Sequence, residues 1–117
     1  MTETNELPAM SVDVDEHGVI TIRGDLDVAT APAAARVVSE HTHEGTDIVL
    51  DLGELEFMDS SGLRVLLVAA NRAAKHGDAV HIRALTPAVE RLLTYTGTAE
   101  LFVLPGTTPA AAATRME

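Results

Sequence analysis

The fold of this chain can be predicted outward from residues 51–63, Asp51-Leu52-Gly53-Glu54-Leu55-Glu56-Phe57-Met58-Asp59-Ser60-Ser61-Gly62-Leu63. The apolar residues just before them, Ile48-Val49-Leu50, are bounded by turn-forming residues and predict a short strand covered on both faces. A helix is predicted to open at Asp59-Ser60-Ser61-Gly62, because Asp and Ser are favoured at helix N-termini. The residues between, including Glu54 and Phe57, are predicted to form a short connection.

The same periodicities extend on both sides of this segment. Further strands are predicted over residues 11–15, 19–23, 79–84 and 101–104, further helices are opened by Thr30 and Thr86, and an Ala-rich helix or tail is predicted over 107–115. Strands that alternate with helices predict an α/β fold, with a mixed, mainly parallel sheet of about five strands and helices packed on it. We expect one domain over residues 11–117, preceded by a flexible N-terminal arm over residues 1–10.

Charge and composition argue against several classes of function. The chain carries 18 acidic residues against 8 Lys and Arg, a formal charge of −10, which disfavours nucleic acid and anionic membranes as partners. It has no cysteine, and its first residues lack the basic and apolar parts of a signal peptide. We therefore expect a cytoplasmic protein that contacts neither nucleic acid nor a membrane. No cofactor or metal site is expected, since His41 and His43 lack the spacing of a metal site.

Ser60 is the residue that points to regulation. The backbone N–H groups at a helix N-terminus are unpaired, and the helix dipole places partial positive charge there, so a phosphate on Ser60 would be well accommodated. Asp25 and Asp27 follow the second strand, and strand pairing is predicted to bring Asp59 alongside them. A phosphate beside these acids would change the local field sharply. Two simpler interpretations stay open: Ser60 and Asp59 as helix caps, and the other two acids as ordinary loop residues.

These motifs resemble the STAS domain, and in particular the stand-alone bacterial anti-sigma factor antagonists. The likeness extends from about Ser11 to Leu104 and depends on Gly24-Asp25-Leu26-Asp27, Thr30, the strand at Asp51-Leu52 and Phe57-Met58-Asp59-Ser60-Ser61-Gly62-Leu63. It implies that the unphosphorylated protein binds an anti-sigma factor with serine kinase activity and releases a sigma factor. It also implies that the kinase phosphorylates Ser60 and that a PP2C-type phosphatase reverses the modification. Asp25 stands where many members carry Glu.

The helix after Gly62 carries a second predicted feature. Val65 and Val68 are predicted to lie on the side away from Leu63, flanked by Arg64 and Arg72, and apolar residues on a polar helix face can mark a partner site. Scattered exposed valines are also normal on monomers. The full set of residues predicted to bind the partner or form the switch is Asp25, Asp27, Thr30, Asp59, Ser61, Gly62, Arg64, Val65, Val68 and Arg72.

The alternatives belong to two other classes of function. An enzyme is not expected, because the chain has no Gly-x-Ser-x-Gly elbow, P-loop or dinucleotide fingerprint. A hydrolase that pairs Asp27 with Asp59 is conceivable, although no substrate cleft is indicated. A constitutive STAS scaffold or ligand-sensing module, never phosphorylated, would have the same fold, and fold alone does not decide function.

Overall fold

A computed structural model describes residues 3–7 and 9–106 as a five-stranded sheet with three α-helices. The strands are β1 (Glu3–Leu7), β2 (Met10–Val14), β3 (Val19–Leu26), β4 (Ile48–Met58) and β5 (Val80–Leu85), and the helices are α1 (Ala31–Glu40), α2 (Ser60–Lys75) and α3 (Pro87–Thr96). The strands lie in sequence order: β1–β2 and β2–β3 pair antiparallel, and β3–β4 and β4–β5 pair parallel. The predicted α/β fold with a mixed sheet is confirmed. The helix predicted over 107–115 lies outside the described residues.

The strands predicted over residues 11–15 and 19–23 form a β-hairpin, the β2–β3 pair. Its turn is held by Asp15, whose carboxylate accepts hydrogen bonds from the backbone N–H groups of His17 at 2.8 Å and Val19 at 2.9 Å. The N–H of Val19, the largest influence, lowers the pKa of this carboxyl from its ordinary value. Gly18 adopts a φ of 83°, which suits the residue that closes the turn.

The sheet begins earlier than the sequence predicts. Residues 1–10 were expected to form a flexible arm, but Glu3–Leu7 form the edge strand β1, paired with β2. The chain then passes close to β3: the N–H of Asp25 donates to the Ala9 carbonyl at 2.8 Å, and a Cβ on Gly24 would clash with that oxygen. The mainly polar sequence of β1 gives no strand periodicity to detect. A domain boundary at residue 11 stays a prediction.

Strand β4 is longer than predicted and is covered on one face only. It continues to Met58 through the segment that was predicted as a connection, with register shifts against both neighbouring strands. Ile48, Leu50 and Leu52 are buried, whereas Val49 between them is only half-buried. The prediction of a strand covered on both faces was therefore wrong, because a short apolar run does not reveal on how many faces it is packed.

The prediction of a strand over residues 101–104 is also wrong. Residues 101–104 contribute only a parallel bridge between Val103 and His81, after a 3₁₀ turn at Ala99–Leu101. The N–H of Ile82 donates to the Val103 carbonyl at 2.8 Å. Phe102 is buried in the core, so the apolar character of this segment reflects burial of one side chain and not a full strand.

The helices begin where the sequence predicts. Thr86 caps α3 by accepting from the N–H of Val89 at 3.4 Å, and Gly97 ends that helix with a φ of 72°. Helix α1 ends at Glu40, with His41 as its C-cap. All three helices contribute buried side chains to one core with the sheet. None of the helices in the described ranges is long and apolar enough to span a membrane.

Candidate functional site

The candidate site lies where β3 and β4 end side by side. Leu26 and Met58 are partners in the parallel ladder, and the N–H of Asp59 donates to the Leu26 carbonyl at 3.2 Å. Asp27 and Asp59 each follow one of these paired residues, so the register places their backbones next to each other. Asp25 lies one step earlier in the ladder, opposite Phe57. The strand pairing thus brings the β3–α1 loop to the start of α2.

Asp59 is the N-cap of α2. Its Oδ1 accepts hydrogen bonds from the N–H groups of Ser61 at 2.8 Å and Gly62 at 3.2 Å, while its carbonyl accepts from Leu63 at 2.9 Å. The interpretation of Ser60 as the cap is therefore wrong. Ser60 is the first residue of the helix and is exposed, and its hydroxyl has no hydrogen bond with any residue of the described ranges.

The β3–α1 loop is held closed by Asp27 and Thr30. Oδ1 of Asp27 accepts from the N–H groups of Ala29 at 3.0 Å and Thr30 at 3.2 Å. The Thr30 hydroxyl donates to the carbonyl of Asp25 at 2.8 Å and accepts from the N–H of Asp27 at 2.9 Å. Thr30 is only 4 % exposed, so its effect on a partner would be indirect, through the shape of the loop.

Gly62 sets how closely α2 approaches the sheet. A Cβ at this position would lie 2.5 Å from the Leu26 carbonyl oxygen and 2.7 Å from Cγ of Met58, both shorter than real Cβ contacts. Gly62 is buried and offers no surface to a partner. Its importance for the site is that it seats the first turn of α2 on the end of β3.

An apolar groove of about 330 Å³ runs between α1 and α2 and opens beside this first turn. We call it the α1–α2 groove, and its lining residues are Val28, Ala31, Pro32, Ala35, Val38, Ser39, Thr42, Ser61, Arg64, Val65, Val68, Ala69 and Arg72. Sequence reasoning missed the side contributed by α1. The signal was present, because apolar or small residues recur every three or four positions from Val28 to Thr42.

Only part of the predicted partner face of α2 is exposed. Val68 is 42 % exposed, as expected, and Val28 across the groove is 74 % exposed, but Val65 is only 7 % exposed. The prediction for Val65 was wrong because α2 packs on the sheet with one side and on α1 with another, so its buried arc is wider than a single stripe. Val65 forms part of the groove instead.

Arg64 and Arg72 both contribute to the groove lining. Both arginines are exposed, and Nη1 of Arg72 donates to the Ser39 hydroxyl at 2.8 Å and thereby links α2 to α1. Ser61 lines the groove and is half-buried. Within residues 3–7 and 9–106, no three His, Asp or Glu side chains are grouped to hold a metal ion.

Comparisons with known proteins agree with this architecture. The family model described as "Mlab, STAS domain" matches residues 10–105. The Anti-sigma-B factor antagonist of Bacillus subtilis (strain 168) is 28 % identical over 93 residues, which cover 75 % of this chain and 85 % of that protein. The protein of the same name from Staphylococcus aureus (strain NCTC 8325 / PS 47) is 27 % identical over 88 residues, covering 74 % and 82 %.

Solved structures show the same similarity. The crystal structure of an anti-sigma factor antagonist from Mycobacterium paratuberculosis has a TM-score of 0.64 and 25 % identity, over 100 % of this chain and 94 % of that one. A putative anti-sigma factor antagonist from Thermotoga maritima has a TM-score of 0.67 and 19 % identity, over 89 % and 91 %. At that identity the second match concerns the fold alone.

Proposed function

This chain belongs to the STAS domain family, and on that premise we propose that it is an anti-sigma factor antagonist switched off by phosphorylation of Ser60. In the cytoplasm, the unphosphorylated chain binds an anti-sigma factor that is also a serine kinase, and a sigma factor is released. A PP2C-type phosphatase restores the binding form. The names of the curated relatives and the Met58-Asp59-Ser60-Ser61-Gly62 motif support this function, in which the chain binds and does not catalyse.

The observation that carries the proposal is the exposed Ser60 hydroxyl on the first turn of α2. A kinase must reach its acceptor hydroxyl, and Ser60 is exposed whereas the neighbouring Ser61 is half-buried. The exposed side chains of Val28 and Val68 lie along the groove that opens beside this turn. An acceptor at the edge of an apolar docking surface places a modification where it alters binding directly.

The expected effect of the phosphate is electrostatic. It would bring about −1.5 to −2 charges to a turn already flanked by Asp27 and Asp59. A helix N-terminus can usually bind a phosphate through free N–H groups, but Asp59 already accepts from Ser61 and Gly62. We therefore expect the phosphate to point outward, towards the partner, and the backbone of α2 to keep its conformation.

The test is incubation of the purified chain with candidate serine-kinase anti-sigma factors and ATP, followed by intact-mass and site-mapping mass spectrometry. We expect one added phosphate on the wild type and on the matched control Ser61→Ala, and none on Ser60→Ala. In binding titrations, Ser60→Ala should stay bound in the presence of ATP and Ser60→Asp should bind weakly. Equal affinity of these two variants would contradict the switch. Binding without any phosphorylation would instead support a constitutive STAS module.

A further inference from the structure

The α1–α2 groove has the size and lining of a small-molecule site. Its volume of about 330 Å³ lies within the range of ligand pockets, and most of its lining is Val, Ala and Pro. The polar groups are confined to its two ends: Ser61 and Arg64 near the N-termini of the helices, and Ser39, Thr42 and Arg72 near their C-termini. An elongated apolar channel with polar ends suits an unbranched chain with one polar head.

The charges at the groove indicate the sign of that head. Three other arginines form ion pairs with carboxylates: Arg23 with Asp13 and Glu54, Arg36 with Glu40, and Arg83 with Asp51. Arg64, Arg72 and Arg91 form no ion pair with any carboxylate of the described ranges, although acids outnumber basic residues by 18 to 8 in the chain. Of these three, Arg64 and Arg72 line the groove and Arg91 does not. Two guanidinium groups without acids beside an apolar groove are complementary to an anion that carries an apolar tail.

Of the two arginines, Arg64 is the better site for that anion. They are eight residues apart on one helix, about 12 Å at the usual rise, so one carboxylate can contact only one of them. Arg72 already donates to Ser39, whereas Arg64 has no hydrogen-bond partner within the described residues.

We propose that the α1–α2 groove binds a free medium-chain fatty acid, with the carboxylate at Arg64 and the alkyl chain running along the groove towards Arg72. Decanoate is a suitable probe, because its extended chain is about as long as the two helical turns between the arginines. Binding itself does not depend on the proposed function. A consequence does rest on it: the ligand would cover Val28 and Val68 and so compete with the anti-sigma factor.

The first experiment titrates the purified chain alone with decanoate, kept below the concentration at which it forms micelles, and follows backbone amide shifts by NMR. Saturable shifts should be confined to α1 and α2. Arg64→Gln should weaken binding about tenfold, as expected for loss of one hydrogen bond to a charged group. Arg91→Gln, which removes an exposed arginine of α3 away from the groove, should bind as the wild type does. Decanol should bind to the wild type about as weakly as decanoate binds to Arg64→Gln.

A second pair of variants tests the path of the tail. Ala35 is an exposed residue of α1 that lines the groove, and Ala74 is an exposed residue of α2 that does not. Ala35→Trp should fill the groove and abolish saturation, whereas Ala74→Trp should leave it unchanged. Lack of saturable binding, or binding that neither Arg64→Gln nor Ala35→Trp weakens, would overturn the proposal. Binding of decanoate without competition against the anti-sigma factor would leave the ligand site standing and show that the factor docks outside the groove, whereas the proposed function is decided by the kinase assay.

Discussion

Substitution of Gly62 by Ala tests how closely the first turn of α2 packs on the end of β3. Two effects oppose each other. Helix propensity favours Ala by at most about 1 kcal/mol, and less in a first turn than in a helix interior. The added methyl group would lie 2.5 Å from the Leu26 carbonyl oxygen, and overpacking of a core costs about 1–3 kcal/mol. The obstacle is backbone that also accepts the Asp59 N–H, so it cannot move cheaply.

The net expectation is a loss of about 1–2 kcal/mol in the free energy of unfolding, or about 4–8 °C in melting temperature for a domain of this size. Urea denaturation followed by circular dichroism measures the first and a thermal scan the second. Ser60→Ala is the matched control, since it changes an exposed residue of the same turn and should stay within about 0.5 kcal/mol of the wild type. A Gly62→Ala variant as stable as the wild type, or more stable, would mean that the helix propensity of Ala outweighs the clash with the Leu26 carbonyl. That result would refute the close packing of α2 on β3.

Two further predictions concern stability elsewhere. Asp59→Ala should lower the free energy of unfolding by about 1 kcal/mol in urea denaturation, because the N–H groups of Ser61 and Gly62 lose their acceptor; an unchanged midpoint would show that water replaces the cap. The N–H of Ala79, and then His81, lowers the pKa of Asp47 below its ordinary 3.8, so the folded state is stabilised above that pH and loses this stabilisation as the pH falls through the lowered pKa. Asp47→Asn should therefore show a flatter acid limb in a plot of unfolding free energy against pH, and an identical limb would contradict the assignment.

The parts of the fold that were predictable are those in which local chemistry and tertiary packing agree. The hairpin, the starts of all three helices and the mixed sheet follow from apolar periodicity and from capping residues such as Thr86 and Asp59. The errors occur where packing alone decides. β1 is mainly polar, and its register depends on pairing with β2. Val103 forms a bridge rather than a strand because the chain turns at Ala99–Leu101 first.

The two parts of the candidate site, the turn that carries Ser60 and the α1–α2 groove, were predictable to different extents. The resemblance and the motif both indicate Ser60, and the parallel register explains why Asp27 and Asp59 lie near it. The groove was not predicted, because it needs two helices that are distant in sequence to pack side by side. For the same reason the burial of Val65 could not be inferred from α2 alone.

Arg64 links the two proposals, because it lines the groove and lies one helical turn after Ser60. Ser60 and Arg64 are four residues apart and both exposed, so they are neighbours on the surface of α2. A phosphate on Ser60, directed outward because Asp59 occupies the nearby N–H groups, would have the Arg64 guanidinium as its nearest cation on that helix face. Phosphorylation would then withdraw Arg64 from any ligand or partner in the groove.

This coupling can be measured without a kinase. Ser60→Asp should weaken decanoate binding in the wild-type background, since the new carboxylate repels the ligand and attracts Arg64. In the Arg64→Gln background the same substitution should weaken decanoate binding by less. The difference between the two losses of binding free energy is the coupling energy of a double-mutant cycle. Equal costs in both backgrounds would mean that residue 60 acts through general repulsion alone, and Arg64 would then not be the residue that joins the phosphorylation switch to the groove.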